Sequence, residues 1–126
     1  MALPPRLDKE LQELLSEHKV EVSEEGDWIN LIFRDFPIGD GFNVASSDLL
    51  VRVQRTYPDA GPDMFWLDTK VTLSSGQIPQ SAEAIEGPYA ARAWRRFSWH
   101  RKSWNPSVDN LHSYLEFIRR RLRDKK

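Results

Sequence analysis

Apolar residues recur at helical spacing near the start of the chain. They lie three or four positions apart with polar residues between them, which predicts an amphipathic helix over residues 5–18. Pro5 suits the first turn of that helix, where its missing N–H costs no hydrogen bond. The apolar positions are Leu7, Leu11, Leu14 and Leu15.

Strand-like patterns follow this helix. Val20 and Val22 alternate with polar side chains, and an apolar run at residues 28–33 resumes after a turn, which predicts two antiparallel strands. The runs at residues 49–58 and 64–73 predict two more. A meander of about four antiparallel strands behind one helix is the simplest topology.

The last third of the chain divides into an irregular part and a helix. Residues 76–94 have no firm period and hold two prolines and two glycines, so we expect a long irregular connection there. A second helix is predicted beyond it, with Asn105, Ser107 or Asp109 available to cap its start and a basic last turn that suits the helix dipole. Its apolar stripe is Leu111, Tyr114, Leu115, Ile118 and Leu122.

Together these elements predict an α+β fold in a single domain over residues 1–126. The length suits one domain, and 40% hydrophobic with 29% charged residues is typical of a globular chain rather than a disordered one. Apolar runs are far shorter than the roughly 20 residues that span a bilayer, and the N-terminus lacks a signal-peptide core. We therefore expect a cytoplasmic protein with no membrane contact.

The net charge of −1 conceals an uneven distribution. Residues 1–91 contain 7 Lys and Arg against 16 Asp and Glu, whereas residues 92–126 contain 11 against 3. The two parts should attract each other, and the basic part could also meet an acidic partner. Cysteine is absent, which excludes disulfides, thiolate metal sites and a thiol nucleophile, and we expect neither a metal nor a cofactor.

The segment "WRRFSWHRKSWNP", residues 94–106, concentrates three tryptophans, four arginine and lysine residues, two serines and a histidine. Tryptophans bury large areas, so we expect Trp94, Trp99 and Trp104, together with Phe97, to pack this segment onto the sheet. Aromatic rings interleaved with cations could instead bind single-stranded nucleic acid. The slightly acidic chain makes that interpretation less favourable.

Three ordered features resemble the ubiquitin-conjugating enzyme (E2) superfamily. They are the helix followed by a meander, the stretch "YPDAGPDMFW" at residues 57–66, and "SWNPSVDNLHSYLEFIRRRL" at residues 103–122. The stretch "RFSWHRKSWNPSVDNL" is similar to the C-terminal pattern of a divergent bacterial branch, prokaryotic family E. The resemblance implies an activating enzyme, a ubiquitin-like protein and a protein target as partners, with a processing peptidase associated.

The chain departs from that superfamily at the site of its chemistry. The superfamily has a catalytic cysteine shortly before the tryptophan matched by Trp104, and the window "RRFSWHRKS" has none. It also has a His-Pro-Asn motif before that cysteine, and nothing after Trp66 reproduces it. The usual thioester mechanism therefore does not transfer to this chain.

Without a thiol, a hydroxyl is the natural acyl acceptor, and it needs a base to take its proton. Ser98 is the best placed serine, and His100 projects from the same face if the segment is extended. Arg96 and Arg101, with Arg95 and Lys102 beside them, could stabilise an oxyanion or dock the tail of a ubiquitin-like protein. Ser98 and His100 are thus the predicted catalytic pair of an oxyester-forming acyl transferase, and Ser103 is a second choice for the nucleophile.

Two alternatives stay open. Ser98 and His100 could simply hydrogen-bond the loop, which would make the protein an inactive E2-like binding module. Alternatively, Ser98 could be the nucleophile of an active acyl transferase. For the activating enzyme, the resemblance points to the exposed face of the first helix, where Arg6, Lys9 and Gln12 are candidate contacts.

Overall fold

A computed structural model of the chain describes residues 3–100 and 103–124. Its two helices lie at the two ends of the chain and pack against one face of a single antiparallel sheet, which confirms the α+β class. In chain order the elements are α1 (Pro5–Leu14), β1 (Val20–Glu25), β2 (Trp28–Pro37), β3 (Ser46–Gln54), β4 (Phe65–Leu67), β5 (Ile85–Tyr89), β6 (Arg92–Phe97) and α2 (Leu111–Arg123).

The sheet has six strands within the described residues, in the order β1-β2-β3-β4-β6-β5. The first four form the predicted meander, and β6 then pairs with β4 and places β5 at the edge. The expectation of an irregular connection over residues 76–94 is confirmed for residues 76–84 and was wrong for residues 85–94, because β5 and the start of β6 form a hairpin there. Its tight turn is made by Ala90 and Ala91, both at positive φ, where Gly or Asn would have given a recognisable signal.

Three element boundaries also differ from the predictions. Helix α1 ends at Leu14 rather than residue 18: residues 15–17 form a turn, and His18, beyond the helix, stacks on Phe36 at 5.8 Å between ring centroids. Strand β3 spans Ser46–Gln54 rather than residues 49–58, since a turn closes when Tyr57 N donates to Gln54 O. Strand β4 keeps only three of the ten residues predicted for 64–73, because the chain turns after Asp68.

Alternation along the strands separates the two faces of the sheet. One face carries the main core against both helices, built on Leu7, Leu11 and Leu14 of α1 and the apolar stripe of α2. The opposite face, called here the open face, has a small buried cluster of its own. That cluster consists of Ile32, Leu50, Trp66 and Trp94.

The cap of α2 is a residue that the sequence did not single out. Asn110 is the N-cap: its side chain accepts from Ser113 N at 2.8 Å, and Asn110 N donates to Ser113 Oγ at 3.0 Å. Asn105, Ser107 and Asp109 were therefore wrong as caps. Asp109 instead accepts a bond from Asn105 N at 2.8 Å and closes the turn that precedes the helix.

A buried carboxylate ties α1 to the chain before α2. Glu10 accepts hydrogen bonds from the Tyr57 hydroxyl, from Leu111 N at 2.9 Å and from Arg6 Nε at 2.8 Å. Burial, reinforced by the bond to Glu10, raises the pKa of Tyr57 well above its ordinary value, so its hydroxyl stays a donor.

The predicted attraction between the acidic and basic parts is confirmed at the sheet. Arg92 of β6 pairs with Asp48 at 2.9 Å and also with Asp68, and Arg96 pairs with Glu86 at 2.6 Å. Across residues 3–100 and 103–124, no helix is long and apolar enough to cross a membrane.

Candidate functional site

Trp99 fixes the backbone between the two predicted catalytic residues. Its ring is 3% exposed and meets Phe65 and Phe97 edge to face, at 5.7 and 5.2 Å between ring centroids. Its indole nitrogen donates to Gln80 O at 2.6 Å, and the Arg121 guanidinium lies over the ring at 4.7 Å. These contacts anchor the Trp99 side chain between Ser98 and His100.

Ser98 directly follows β6 and is half-buried. Its Oγ accepts a hydrogen bond from Arg96 Nε at 2.9 Å. Arg96 Nη1 in turn donates to Glu86 Oε2 at 2.6 Å, and Glu86 Oε1 accepts from Trp66 Nε1 at 2.9 Å. Ser98 is thus the end of a hydrogen-bonded chain that begins on β4.

His100 lies against a carboxylate from another part of the chain. Its Nδ1 is 2.7 Å from Asp63 Oδ1, and the two side chains are 58% and 59% exposed. Ser98, Asp63 and His100 all belong to the described part of the chain. Within that part, no hydrogen bond joins Ser98 to His100. The pairing of these two residues in catalysis stays a prediction.

Trp104 brings Asp63 to this position. Its indole nitrogen donates to Pro58 O at 2.7 Å, and its ring tilts against Tyr57 at 5.9 Å between centroids. Gly61 lies so close to the ring that any Cβ there would collide with it. Trp99 therefore anchors the chain directly before His100, and Trp104 anchors the segment that carries Asp63.

A cavity of about 330 Å³ adjoins the site on the open face. Asp63 and Glu86 both line it, so it touches the partner of His100 and the partner of Arg96. Aromatic rings from Trp28, Trp66 and Tyr89 form much of the remaining wall.

The other predicted site residues have diverse environments. Arg101 and Lys102 lie outside the described residues. Arg95 is 9% exposed and donates to the carbonyls of Ala82 and Thr69, which makes it a buried tie between loops. Ser103 is exposed.

The three residues predicted to contact an activating enzyme also differ from one another. Lys9 and Gln12 are exposed on α1, but Arg6 is half-buried and donates to the carbonyls of Pro106 and Asp109 as well as to Glu10. Arg6 therefore braces the segment before α2.

Sequence reasoning missed Asp63 and Glu86. Asp63 stands 37 residues from His100, and Glu86 lies in a stretch where no strand was expected. The only available signal was an aspartate inside "YPDAGPDMFW", the segment matched for its prolines and aromatic residues.

Burial restricts what the aromatic residues can bind. Trp94 and Phe97 are fully buried and Trp99 nearly so, which confirms that they pack the segment onto the sheet. Bases stack on exposed rings, so these three side chains are not available to nucleic acid in this conformation. Among residues 3–100 and 103–124, no cluster of three or more His, Cys, Asp or Glu could hold a metal ion.

The comparison with protein families gives one match. The family described as prokaryotic E2 family E matches residues 4–125, which is nearly the whole chain. No curated protein and no solved structure matches the chain.

Proposed function

The chain belongs to prokaryotic E2 family E, a conjugating type of protein, and we propose that it carries a ubiquitin-like protein as an oxyester on Ser98. It would receive the acyl group from an activating enzyme and pass it to a protein target. A hydroxyl replaces the thiol in this scheme because the chain has no cysteine.

The contact between Asp63 and His100 carries this proposal. A carboxylate bound at Nδ1 favours the tautomer with its proton there, which leaves the lone pair on Nε2. A base of that kind can accept the proton of a serine hydroxyl. The exposed imidazole, two residues after Ser98, is accessible to a partner that delivers the acyl group.

The surroundings of Ser98 suit a nucleophile. A hydroxyl has two lone pairs and one proton, and the bond from Arg96 uses one lone pair only. The remaining lone pair can attack, and the proton can go to the base. The guanidinium of Arg96 stabilises negative charge near Oγ, while Glu86 holds Arg96 in place.

The first transfer balances without any further reagent. Ser98 Oγ attacks the carbonyl carbon of the thioester on the activating enzyme, so a C–O bond forms and the C–S bond breaks. The proton moves from Oγ to His100 Nε2, directly or through one water, and then to the departing thiolate. In the second transfer an amine of the target attacks the ester, an amide forms, and the amine's proton returns to Oγ through His100.

The test uses the activating enzyme and ubiquitin-like protein of the same organism with ATP. We expect an adduct that survives denaturation and thiol reductant, is absent in Ser98→Ala and persists in Ser103→Ala, which removes an exposed serine five positions away. His100→Gln should slow its formation by about 10² or more. An adduct of unchanged yield on Ser98→Ala would overturn the proposal.

Contacts with the activating enzyme can be tested separately. Lys9→Glu combined with Gln12→Ala should weaken adduct formation, because both side chains are exposed on α1. Lys19→Glu is the matched control, since it reverses an exposed lysine just beyond the helix. Equal loss in both variants would show an effect of net charge and remove α1 from the interface.

A second candidate function is a binding module without acyl transfer. The observation in its favour is that Ser98 and His100 each already have a hydrogen-bond partner, Arg96 and Asp63, as residues of a structural loop would. In that case Ser98→Ala would leave affinity for the ubiquitin-like protein unchanged by calorimetry, and no adduct would form on the unmodified chain.

A further inference from the structure

Met64 has an unusual backbone conformation directly after Asp63. Its φ is +61°, in the left-handed region that residues other than glycine seldom adopt. The next residue, Phe65, begins β4 and is fully buried, whereas the side chain of Asp63 is 59% exposed. The chain therefore turns at Met64 between an exposed carboxylate and the first buried residue of the strand, and the position of Asp63 depends on this turn.

A hydroxyl from α2 holds the turn. Tyr114 is fully buried, and its hydroxyl donates to the carbonyl oxygen of Met64, 50 residues away in the sequence. A residue in the left-handed region keeps that conformation only where the surrounding contacts compensate its strain. This hydrogen bond is made to the strained residue itself, so the Tyr114 hydroxyl is one of the contacts that compensate it.

Both supports of Met64 are firmly placed. Helix α2 begins at a capping box between Asn110 and Ser113, and Tyr114 belongs to its buried stripe. On the other side of Met64, the ring of Phe65 stacks on Phe97 at 5.0 Å between centroids. Met64 is thus held from the helix and from the sheet, and Asp63 directly precedes this held residue.

We propose that Tyr114 is a positioning residue for His100, the proposed base. Its hydroxyl holds the turn at Met64, and the turn directs Asp63 onto Nδ1 of the imidazole. Asp63 in turn keeps the proton of the neutral ring on Nδ1 and the lone pair on Nε2. The inference rests on the proposed function, because it takes His100 as the base. Tyr114 acts through the backbone of Met64 and not on the reacting atoms.

The experiment measures the tautomer of neutral His100 in the full chain by NMR of the imidazole nitrogens, at about pH 9, where histidine side chains are ordinarily neutral. His100→Gln assigns its signals. In the unmodified chain we expect the proton mainly on Nδ1, and Asp63→Asn gives the spectrum without the carboxylate. In Tyr114→Phe the ratio of the Nδ1–H form to the Nε2–H form should fall about fivefold or more, the factor that one ordinary hydrogen bond contributes to an equilibrium.

Tyr57→Phe is the matched control. It also removes a buried hydroxyl that donates to a distant group, Glu10, and it keeps the ring that packs on Trp104, so the tautomer of His100 should not change. His112 is an internal reference in every spectrum. Its Nε2 lies 3.1 Å from Glu13 Oε1, two residues before Tyr114 on α2, so an unchanged His112 signal in Tyr114→Phe shows that the helix is intact.

Variants of Met64 test the same link without changing Tyr114. Isoleucine and leucine are isomers, but only isoleucine is branched at Cβ, and a β-branched residue is strongly disfavoured at this φ. Met64→Ile should therefore lower the Nδ1–H fraction of His100, and Met64→Leu should keep it. This pair decides the proposal if Tyr114→Phe does not fold.

The outcomes separate this inference from the proposed function. An unchanged ratio in Tyr114→Phe, or in Met64→Ile if the first variant does not fold, would overturn the role of Tyr114. An equal fall in the Tyr57→Phe control, or a proton mainly on Nε2 in the unmodified chain, would overturn it as well. A ratio that depends on Tyr114 in a chain that forms no adduct on Ser98 keeps the positioning role and overturns the carrier function alone.

Discussion

Gly61 lies against the indole of Trp104 so closely that a Cβ on Gly61 would come within 2.2 Å of Trp104 Cδ2. Glycine is required here by close approach to a ring, because its φ is not in the left-handed region. This contact and the bond from Trp104 Nε1 to Pro58 O hold the segment against Trp104, and Asp63 follows two positions after Gly61 against His100. The geometry of the candidate site therefore depends on a residue with no side chain.

Gly61→Ala should destabilise the protein by about 1–3 kcal/mol, the usual cost of forcing an atom into a filled space. Urea unfolding measures the loss. A second change tests the cause: in Gly61→Ala with Trp104→Leu, the smaller side chain leaves room for the methyl group, so the combined loss should be less than the sum by about 0.5 kcal/mol or more. Strict additivity would show that the two residues do not compete for space.

Glu10→Ala should destabilise the protein by about 3 kcal/mol, because it leaves the Tyr57 hydroxyl, Leu111 N and part of Arg6 without their acceptor in a buried place. Glu13→Ala is the matched control on the same helix. Glu13 is exposed beside His112, and its loss should cost no more than about 0.5 kcal/mol. Similar losses in the two variants, compared by chemical denaturation, would contradict the role of Glu10 as a buried tie.

Stability should fall as the pH drops below about 6.5, in part through His18. Burial, followed by the charge of Arg119, lowers the pKa of His18 below its model-peptide value of 6.5. Neutral His18 accepts from Arg119 Nη2 at 3.4 Å and packs on Phe33 and Phe36, and Glu17 and His112 are the other charged or titratable groups near it. The unfolded chain therefore binds the proton more readily than the folded one between the folded pKa and 6.5, so acid favours unfolding there.

The measurement is the free energy of unfolding at several pH values from about 5 to 7.5, for the unmodified chain and His18→Gln. Glutamine keeps a hydrogen-bond acceptor and does not titrate. The slope of stability against pH should be smaller in the variant. An unchanged slope would assign the acid sensitivity to other groups.

The hydrophobic pattern predicted the elements that depend on residues close together in the sequence. The start of α1 at Pro5, the β1–β2 hairpin and the apolar stripe of α2 each follow from spacing along the chain. The β5–β6 hairpin was missed because its turn uses Ala90 and Ala91 in conformations that normally call for Gly or Asn.

The site was predictable only in part, for a related reason. Ser98 and His100 are two residues apart, so the sequence alone was enough to single them out as neighbours. Asp63 and Glu86 reach them through the packing of Trp104 and the pairing of β5 with β6, which are long-range contacts that no local pattern reveals. The partners of Arg6 could not be predicted for the same reason, since Pro106 and Asp109 are about a hundred residues away.

The most direct test of the central claim is peptide-level mass spectrometry of the chain after reaction with the activating enzyme, the ubiquitin-like protein and ATP in the presence of thiol reductant. The account predicts the C-terminal remnant of the ubiquitin-like protein on the peptide that contains Ser98, lost on mild hydroxide treatment as an ester would be. A remnant on a lysine or on Ser103, or an unmodified Ser98 peptide in a chain that still binds both partners, would contradict it.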